Sequence, residues 1–274
     1  MNEEIIDADV VVAGGGLAGT FAAIAAARWG ARTVLVHDRS ILGGNASSEI
    51  GIGLAGADCS GNTFMRYVRE GGLVAEYAAE LLNRSADYWS SLPWRSVLLW
   101  EMVRREPNLT LLMNASVRSA DCRPDGGIAG IRVCQTTTER DYQITGRYFI
   151  DCTGHGSMAA AAGASFRMGR EGQNEFGERQ APEQAYGKTM GATILLFAKN
   201  MGRPIPFTAP DWAAKFPRDE DLPFRHADLV CSADKEGAGD EISGYWWLEY
   251  GGAKHAVNDA EHIRDEHLRI LYGI

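Results

Sequence analysis

No run in this 274-residue sequence approaches the ~18 apolar residues that a membrane-spanning helix needs. The start, Met1-Asn2-Glu3-Glu4, lacks the basic and apolar regions of a secretory signal. Its cysteines, Cys59, Cys122, Cys134, Cys152 and Cys231, are scattered, and none forms the C-x-x-C spacing of a zinc site or a redox dithiol. The expectation is therefore buried thiols in a reducing, cytoplasmic compartment, no metal site and no membrane partner. Positive charge is also short: a formal net charge of −9 argues against a general nucleic-acid-binding face. Proline is sparse, and Pro204, Pro206, Pro210, Pro217 and Pro223 gather in one loop-rich stretch. Internal repeats and low-complexity tracts are missing. The remaining balance, 45% hydrophobic and 23% charged residues, is that of a globular chain with one large or two smaller domains.

Glycine is what the chain has in quantity, 32 residues, and its most informative use is Val10-Val-Val-Ala-Gly-Gly-Gly-Leu-Ala-Gly19. A β-branched strand over 8–13 runs into Gly14-x-Gly16-x-x-Gly19, and an alanine-rich helix over 17–28 follows. A dinucleotide pyrophosphate site needs this order. Gly14 permits the tight turn, Gly16 lets the backbone approach the phosphates, and Gly19 lets the helix pack closely on the strand. The helix start then offers free N–H groups and a partial positive charge to an anion. A second strand, 32–36, ends beside His37 and Asp38, about 20 residues after Gly19, where an acid commonly meets the ribose. Asp38 is either that ribose ligand or a solvated turn residue, and His37 competes for the place. An acid here disfavours a 2′-phosphate, so NADP is not the expected dinucleotide. A glycine-rich turn with no ligand is the alternative.

Further on, the pattern predicts helices over 66–83, interrupted near Gly71-Gly72, and over 94–105, then a strand over 109–113. A meander follows, with turns at Pro124-Asp-Gly-Gly127 and Glu139-Arg-Asp141 and strands over 127–135 and 141–145. A strand over 148–152 leads through Thr153-Gly154-His155-Gly156 to a helix over 157–162. From Arg167 the texture turns polar, with strands expected over 192–198 and 243–250 and a helix over 259–271. The expected fold is α/β. A Rossmann-like domain over 1–165, with a parallel sheet and a three-stranded meander, precedes an incomplete α+β substrate domain over 166–274.

The order of motifs resembles the FAD-dependent oxidoreductases of the glutathione-reductase-like flavoprotein superfamily. More narrowly, it resembles a bacterial FAD-dependent oxidoreductase family with a His/Gln-Asp-Arg-x-x-Leu-Gly-Gly-Asn-x-Ser-Ser-Glu segment, here His37 to Glu49. Arg69-Glu-Gly-Gly-Leu-Val-Ala-Glu76, Phe149-Ile-Asp-Cys-Thr-Gly-His-Gly156, Gly169 to Gly177 and Tyr245 to Gly252 also match. The resemblance implies FAD as cofactor. It implies that Gly14, Gly16 and Gly19 hold the pyrophosphate and that Asp38, or His37, meets the adenosine ribose. Gly43, Gly44 and Asn45 would lie along the pyrophosphate and flavin, Val117 beside the adenine, and Thr153 and Gly154 over the cofactor. Two departures stand out. Ile50-Gly-Ile-Gly53 replaces an Arg–Met-type continuation, and no late Gly-Asp segment leads into a flavin-facing helix, since Gly239-Asp240 has no helix-like run after it. The expectation is a C-terminally truncated member.

A flavin oxidoreductase takes a hydride from substrate and needs a base for the second proton. His155 is the first candidate base, against a role as helix cap, and Glu49 the second, against a structural ion pair. Arg167 and Arg170 either bind an anionic group or form a solvated face. Tyr245, Trp246, Trp247 and Tyr250 either stack on a sugar or aromatic substrate or pack a core, and strand alternation allows only one of the two tryptophans to line a pocket. A relay between Cys59 or Cys152 and flavin is disfavoured without C-x-x-C. The leading reading is hydride transfer between flavin and a small organic, carbohydrate-like substrate, with an electron acceptor that the sequence does not identify. An NAD-binding dehydrogenase and a non-catalytic nucleotide-binding chain are the alternatives.

Overall fold

The structure, a computed structural model, describes residues 3–52, 54, 70–85, 91–195, 198–199, 201, 203–221, 241–242 and 247–274. The chain divides into two compact units, Met1–Phe166 and Arg167–Ile274.

The first unit is built on strands too apolar to face water. β2 (Val10–Ala13) and β3 (Thr33–Val36) pair in parallel, and β4 (Leu109–Leu112) and β8 (Tyr148–Asp151) complete a parallel sheet in the order β4-β3-β2-β8. Alternation along β2 and β3 feeds two cores. Val12 and Leu35 face α1 (Leu17–Arg28), α2 (Gly72–Arg84) and α3 (Leu92–Arg104), packing with Ile24, Tyr77, Leu98, Leu99 and Met102. Val11, Ala13, Val34 and Val36 face a second sheet and pack with Ile131, Val133, Tyr142 and Ile144. Both faces of the parallel sheet are thus covered, as continuous apolar runs require. α1 turns Gly19, Thr20, Ala23, Ile24 and Ala27 inward, and these small residues let it lie close to the sheet.

The second sheet is the expected meander with an addition. β5 (Ala115–Cys122), β6 (Ile128–Gln135) and β7 (Arg140–Thr145) are antiparallel neighbours, and β1 (Glu3–Asp7) lies parallel to β7 as a fourth strand. β1 has no counterpart among the elements expected from the sequence, where the N-terminus runs straight into the β2 strand. Its pattern, Glu-Glu-Ile-Ile-Asp, has little amphipathic alternation: Ile6 packs toward the core while Ile5 is 76% exposed. Pairing across a wide sequence separation, rather than local pattern, makes it a strand. Asn114 takes a left-handed conformation between β4 and β5, which swings the chain from one sheet to the other. A register irregularity between Val117 and Ser119 bends β5 near the parallel sheet's carboxyl end. α4 (Ser157–Ala161) closes this unit.

In the second unit, β9 (Ala192–Leu195) pairs antiparallel with β12 (Trp247–Tyr250), and β10 (Ala198–Lys199) with β11 (Glu241–Ile242). Of the strand expected over 192–198, residues 192–195 and 198 are strand, and residues 196–197 lie outside the described residues. Tyr245, Trp246 and Gly239-Asp240 lie outside the described residues, as do residues 66–69 of the helix expected over 66–83. α5 (Gln173–Phe176) is one turn long, and α6 (Ala260–Gly273) packs on β12 through buried Ile263 and His267. Tyr250 meets His262 and His267 edge-on, so its ring is engaged in packing α6 rather than presented for stacking on a substrate. Among the described residues no helix is long and apolar enough to cross a membrane.

Leu35 is fully buried at the centre of the parallel sheet. Leu35→Ala should lower unfolding stability by about 2–5 kcal/mol, read as a shifted urea midpoint, whereas Trp29→Gln, at a 91%-exposed position, should change it by less than about 0.5 kcal/mol.

Candidate functional site

The site forms where the crossovers leaving β2 part company. The connection through α1 carries the chain to β3 on one side, while β8 arrives on the other, and ligands bind at the carboxyl end of such a switch point. Here the chain runs Ala13-Gly14-Gly15-Gly16 into α1. Gly14 has φ +102°, and a Cβ on it would stand 2.1 Å from the Cys152 carbonyl oxygen. A Cβ on Gly19 would stand 1.8 Å from the Gly14 carbonyl oxygen, and one on Gly15 would meet the His37 ring at 2.6 Å. Gly16 differs: a Cβ there would meet nothing within 4 Å. Three of the glycines are closed in by protein, and the fourth, at the N-cap of α1, faces open space. The first turn of α1 carries no acidic residue, so its positive end is not offset from within the helix.

Beside this turn opens a cleft of about 200 Å³ lined by Gly14, Asp38, Ser116, Val117, Thr153 and His155, among others. It brings together five residues singled out from the sequence: Gly14, Asp38, Val117, Thr153 and His155. The Asp38 side chain is 65% exposed. Gly43 and Gly44, both with positive φ, dock on the glycine turn: Gly43 N–H donates to the Gly15 carbonyl at 2.8 Å, and Gly44 lies against Gly16. Asn45 comes next, exposed, its carbonyl accepting from Ile52 N–H. Gly154 has φ +82° and faces open space.

Two expectations change. His37 is not a ribose ligand, because both ring nitrogens are used inside the protein. Nδ1 accepts from Gly15 N–H at 2.9 Å and Nε2 lies 2.9 Å from the Ile41 carbonyl oxygen. Glu49 does not enter the cleft lining. Its carboxylate pairs with Arg39 at 3.0 Å, the structural ion pair weighed as the alternative. His155 does line the cleft, in company with Gly14, Asp38, Val117 and Thr153. The structure does not bring His155 and Glu49 together as an acid–base pair. Arg167 pairs with Glu175, and Arg170 donates to the Gln180 carbonyl, so both serve their own unit. Burial pushes the Cys152 thiol up, away from thiolate chemistry.

Sequence reasoning missed two supports. Gly15 is a free position in the motif, yet the His37 and Leu42 side chains leave no room for a Cβ there. Asp151 ends β8 and organises the turn into α4: Oδ1 accepts from Thr153 N–H at 2.9 Å and Thr153 Oγ1 at 2.7 Å, and Oδ2 accepts from Ala159 N–H at 2.8 Å. Thr153 Oγ1 in turn accepts from Ser157 N–H at 2.8 Å. Burial, the largest influence on Asp151, pushes its pKa up, but the hydrogen bonds from Thr153, Ala159 and Met158 together outweigh it and hold the carboxyl below its ordinary value. The Asp-x-Thr spacing before a helix is the signal that could have found this cap.

These features define a Rossmann-type dinucleotide-binding protein. The chain matches the FAD dependent oxidoreductase family over residues 9–273 and belongs to it. FAD is accordingly the cofactor. No curated protein matches the chain. Among solved structures, the myxobacterial chondrochloren halogenase CndH, an FAD-dependent halogenase, is similar at 16% identity and TM-score 0.43, covering 61% of this chain and 41% of that one. THI4 of Thermovibrio ammonificans is similar at 19% identity and TM-score 0.39, covering 63% and 64%. L-proline dehydrogenase from P. horikoshii gives 16%, 0.34, 56% and 24%. The chain thus spans about a quarter of the dehydrogenase's length and two-fifths of the halogenase's.

The glycines separate binding from folding. Gly16→Val should abolish FAD retention while leaving the thermal midpoint within a few degrees, whereas Gly19→Val should lower that midpoint sharply; loss of stability in both would contradict the open space at Gly16. Asp151→Ala should cost about 1–2 kcal/mol by removing the cap. Because the Asp151 pKa is lowered in the folded chain, its contribution is present above the ordinary carboxylate pKa and fades as pH falls through the folded value. Acid titration of stability should therefore be shallower in the variant.

Proposed function

We propose that this chain binds FAD in the cleft at the head of α1 and belongs to an enzyme that oxidises a small organic substrate by hydride transfer to the flavin. The open face of Gly16, among glycines otherwise closed in by protein, carries this reading. It is the one place in the motif where another molecule's atoms can take the space that a Cβ would fill. The backbone at Gly16 and the α1 N-terminus would hold the pyrophosphate, since the Gly14 and Gly15 amides already donate to the Val36 carbonyl and to His37 Nδ1. Asp38 would meet the ribose hydroxyls, and the backbone at Val117 the adenine edge. Thr153 and Gly154, braced by Asp151, would close over the cofactor, and Gly43, Gly44 and Asn45 would continue the cradle toward the flavin.

Bound flavin accepts the hydride, and the substrate hydroxyl proton must leave to a base or solvent. Placement favours His155 over Glu49 for that base, since His155 lines the cleft and Glu49 is paired with Arg39. We infer an alcohol as the substrate class, carbohydrate-like in the broad sense, a separate electron acceptor that reoxidises the flavin, and a cytoplasmic setting. The scattered spacing of the cysteines supports the last.

The test is spectroscopic. The purified chain supplied with FAD should show the visible flavin absorption band and should bleach anaerobically with a member of a panel of sugars and small alcohols. A chain that takes up NAD but not FAD would overturn the cofactor reading, and a flavin-loaded chain that no alcohol bleaches would overturn the substrate class.

A further inference from the structure

His37 has left the list of cofactor ligands, yet its ring is only 4% exposed and is hydrogen-bonded at both ends. A backbone N–H can donate only to a ring nitrogen that carries no hydrogen, so Nδ1 is bare. A carbonyl can only accept, so Nε2 holds the proton. The ring is therefore the neutral Nε2–H tautomer. The partners are what give this weight. Gly15 is the middle of the glycine turn. Ile41 belongs to the loop that brings Gly43 back, and Gly43 N–H closes the circuit on the Gly15 carbonyl at 2.8 Å. One imidazole thus ties the turn, the end of β3 and the returning loop together.

We propose that His37 is a positioning residue whose neutral ring holds the glycine turn in its FAD-binding shape, and that protonation at Nδ1 opens the turn and releases the cofactor. The inference rests on the FAD site of the proposed function. A proton on Nδ1 would face the Gly15 N–H, donor against donor, and that bond is lost. The nearest new acceptor is Asp38 Oδ1, 3.4 Å from Nδ1. Protonation therefore also draws the ribose carboxylate toward the ring and out of its binding role.

The groups around the ring set the direction. Burial, the largest influence, disfavours the charged ring; the Ile41 carbonyl and the charges of Asp38 and Glu49 favour it, and that of Arg39 opposes it. The β4–β5 junction meets the His37 backbone through the Leu112 carbonyl and the Ala115 amide, and Leu42 adds an apolar wall. The net effect lowers the His37 pKa. The ring is then neutral at pH 7 and charges only as pH falls below the ordinary imidazole value of about 6.5. The FAD-binding form carries one proton fewer than the opened form, so FAD affinity should fall by up to about tenfold per pH unit through that acid range.

The experiment tracks FAD released from the loaded chain by flavin fluorescence between neutral and acid pH. It is paired with the hydrogen-exchange protection of the Gly15 amide in the FAD-free chain. Wild type should lose FAD and Gly15 protection together on acidification. His37→Gln keeps an acceptor and a donor but does not titrate, and should hold FAD with a flattened pH profile. His37→Leu should bind weakly at every pH. Acid release in His37→Gln equal to wild type would overturn the proposal, as would ring ¹⁵N shifts showing Nδ1 protonated at neutral pH, a measurement on wild type that needs no variant to fold. If the chain takes up no FAD at any pH, the functional reading falls, and a Gly15 protection that does not respond to acid then overturns the switch on its own.

Discussion

The site depends on how closely three stretches of backbone approach one another at the carboxyl end of β2. The Gly14 carbonyl presses on Gly19, the Cys152 carbonyl presses on Gly14, and the His37 ring presses on Gly15, each at a distance that no Cβ would allow. Any side chain there would push α1 outward and carry its N-terminal amides away from the cleft. Each glycine in an ordered element costs about 0.5–1 kcal/mol relative to alanine. The fold offsets that cost through the burial of β2 and β3 on both faces.

That two-sided burial also decides where the cleft lies. Ala13 and Val36 belong to the core shared with the meander, whereas Val12 and Leu35 belong to the core shared with the helices. The cleft is lined by Ala13, Val36, Asp38 and Val117, and so it opens on the meander side. The helical layer drives α1 into place, and the meander supplies the opposite wall. The irregularity after Val117 falls beside this wall, and the β5–β6 ladder resumes at Ser119. Asp151 does for β8 what the glycines do for β2: it ends the strand and turns the chain so that Thr153 and Gly154 border the same space.

The parts legible in the sequence are those whose signal is local. The glycine spacing, the valine runs of β2 and β3, the small inward residues of α1 and the turns of the meander each announce themselves within a dozen residues. β1 does not, because a short acidic edge strand has no pattern until β7 is beside it. The role of His37 is hidden for the same reason: its partner Gly15 is far off in sequence, and nothing local distinguishes an imidazole that binds ribose from one that holds a backbone amide. Glu49 looks free in the sequence because its partner Arg39 sits ten residues away in a loop with no helical or strand spacing to pair them. The second unit gives weaker local signals because its texture is polar, and its described strands pair between distant segments, β9 with β12 and β10 with β11.

The division of labour between His37 and Asp38 is set where the chain bends just past the end of β3. The buried His37 ring turns in against the Gly15 amide and the Ile41 carbonyl, while the exposed Asp38 carboxylate, 3.4 Å from Nδ1, lines the cleft. An acid at 37 would be buried against a backbone N–H with no water to share its charge. An imidazole suits that place because, when neutral, it can accept from Gly15 and donate to Ile41 at once. The acid is thereby displaced by one residue, to an exposed position on the cleft. Exchanging the two residues would conserve composition and charge while putting a carboxylate under the turn and an imidazole in the cleft. The cradle depends on their order as much as on their presence.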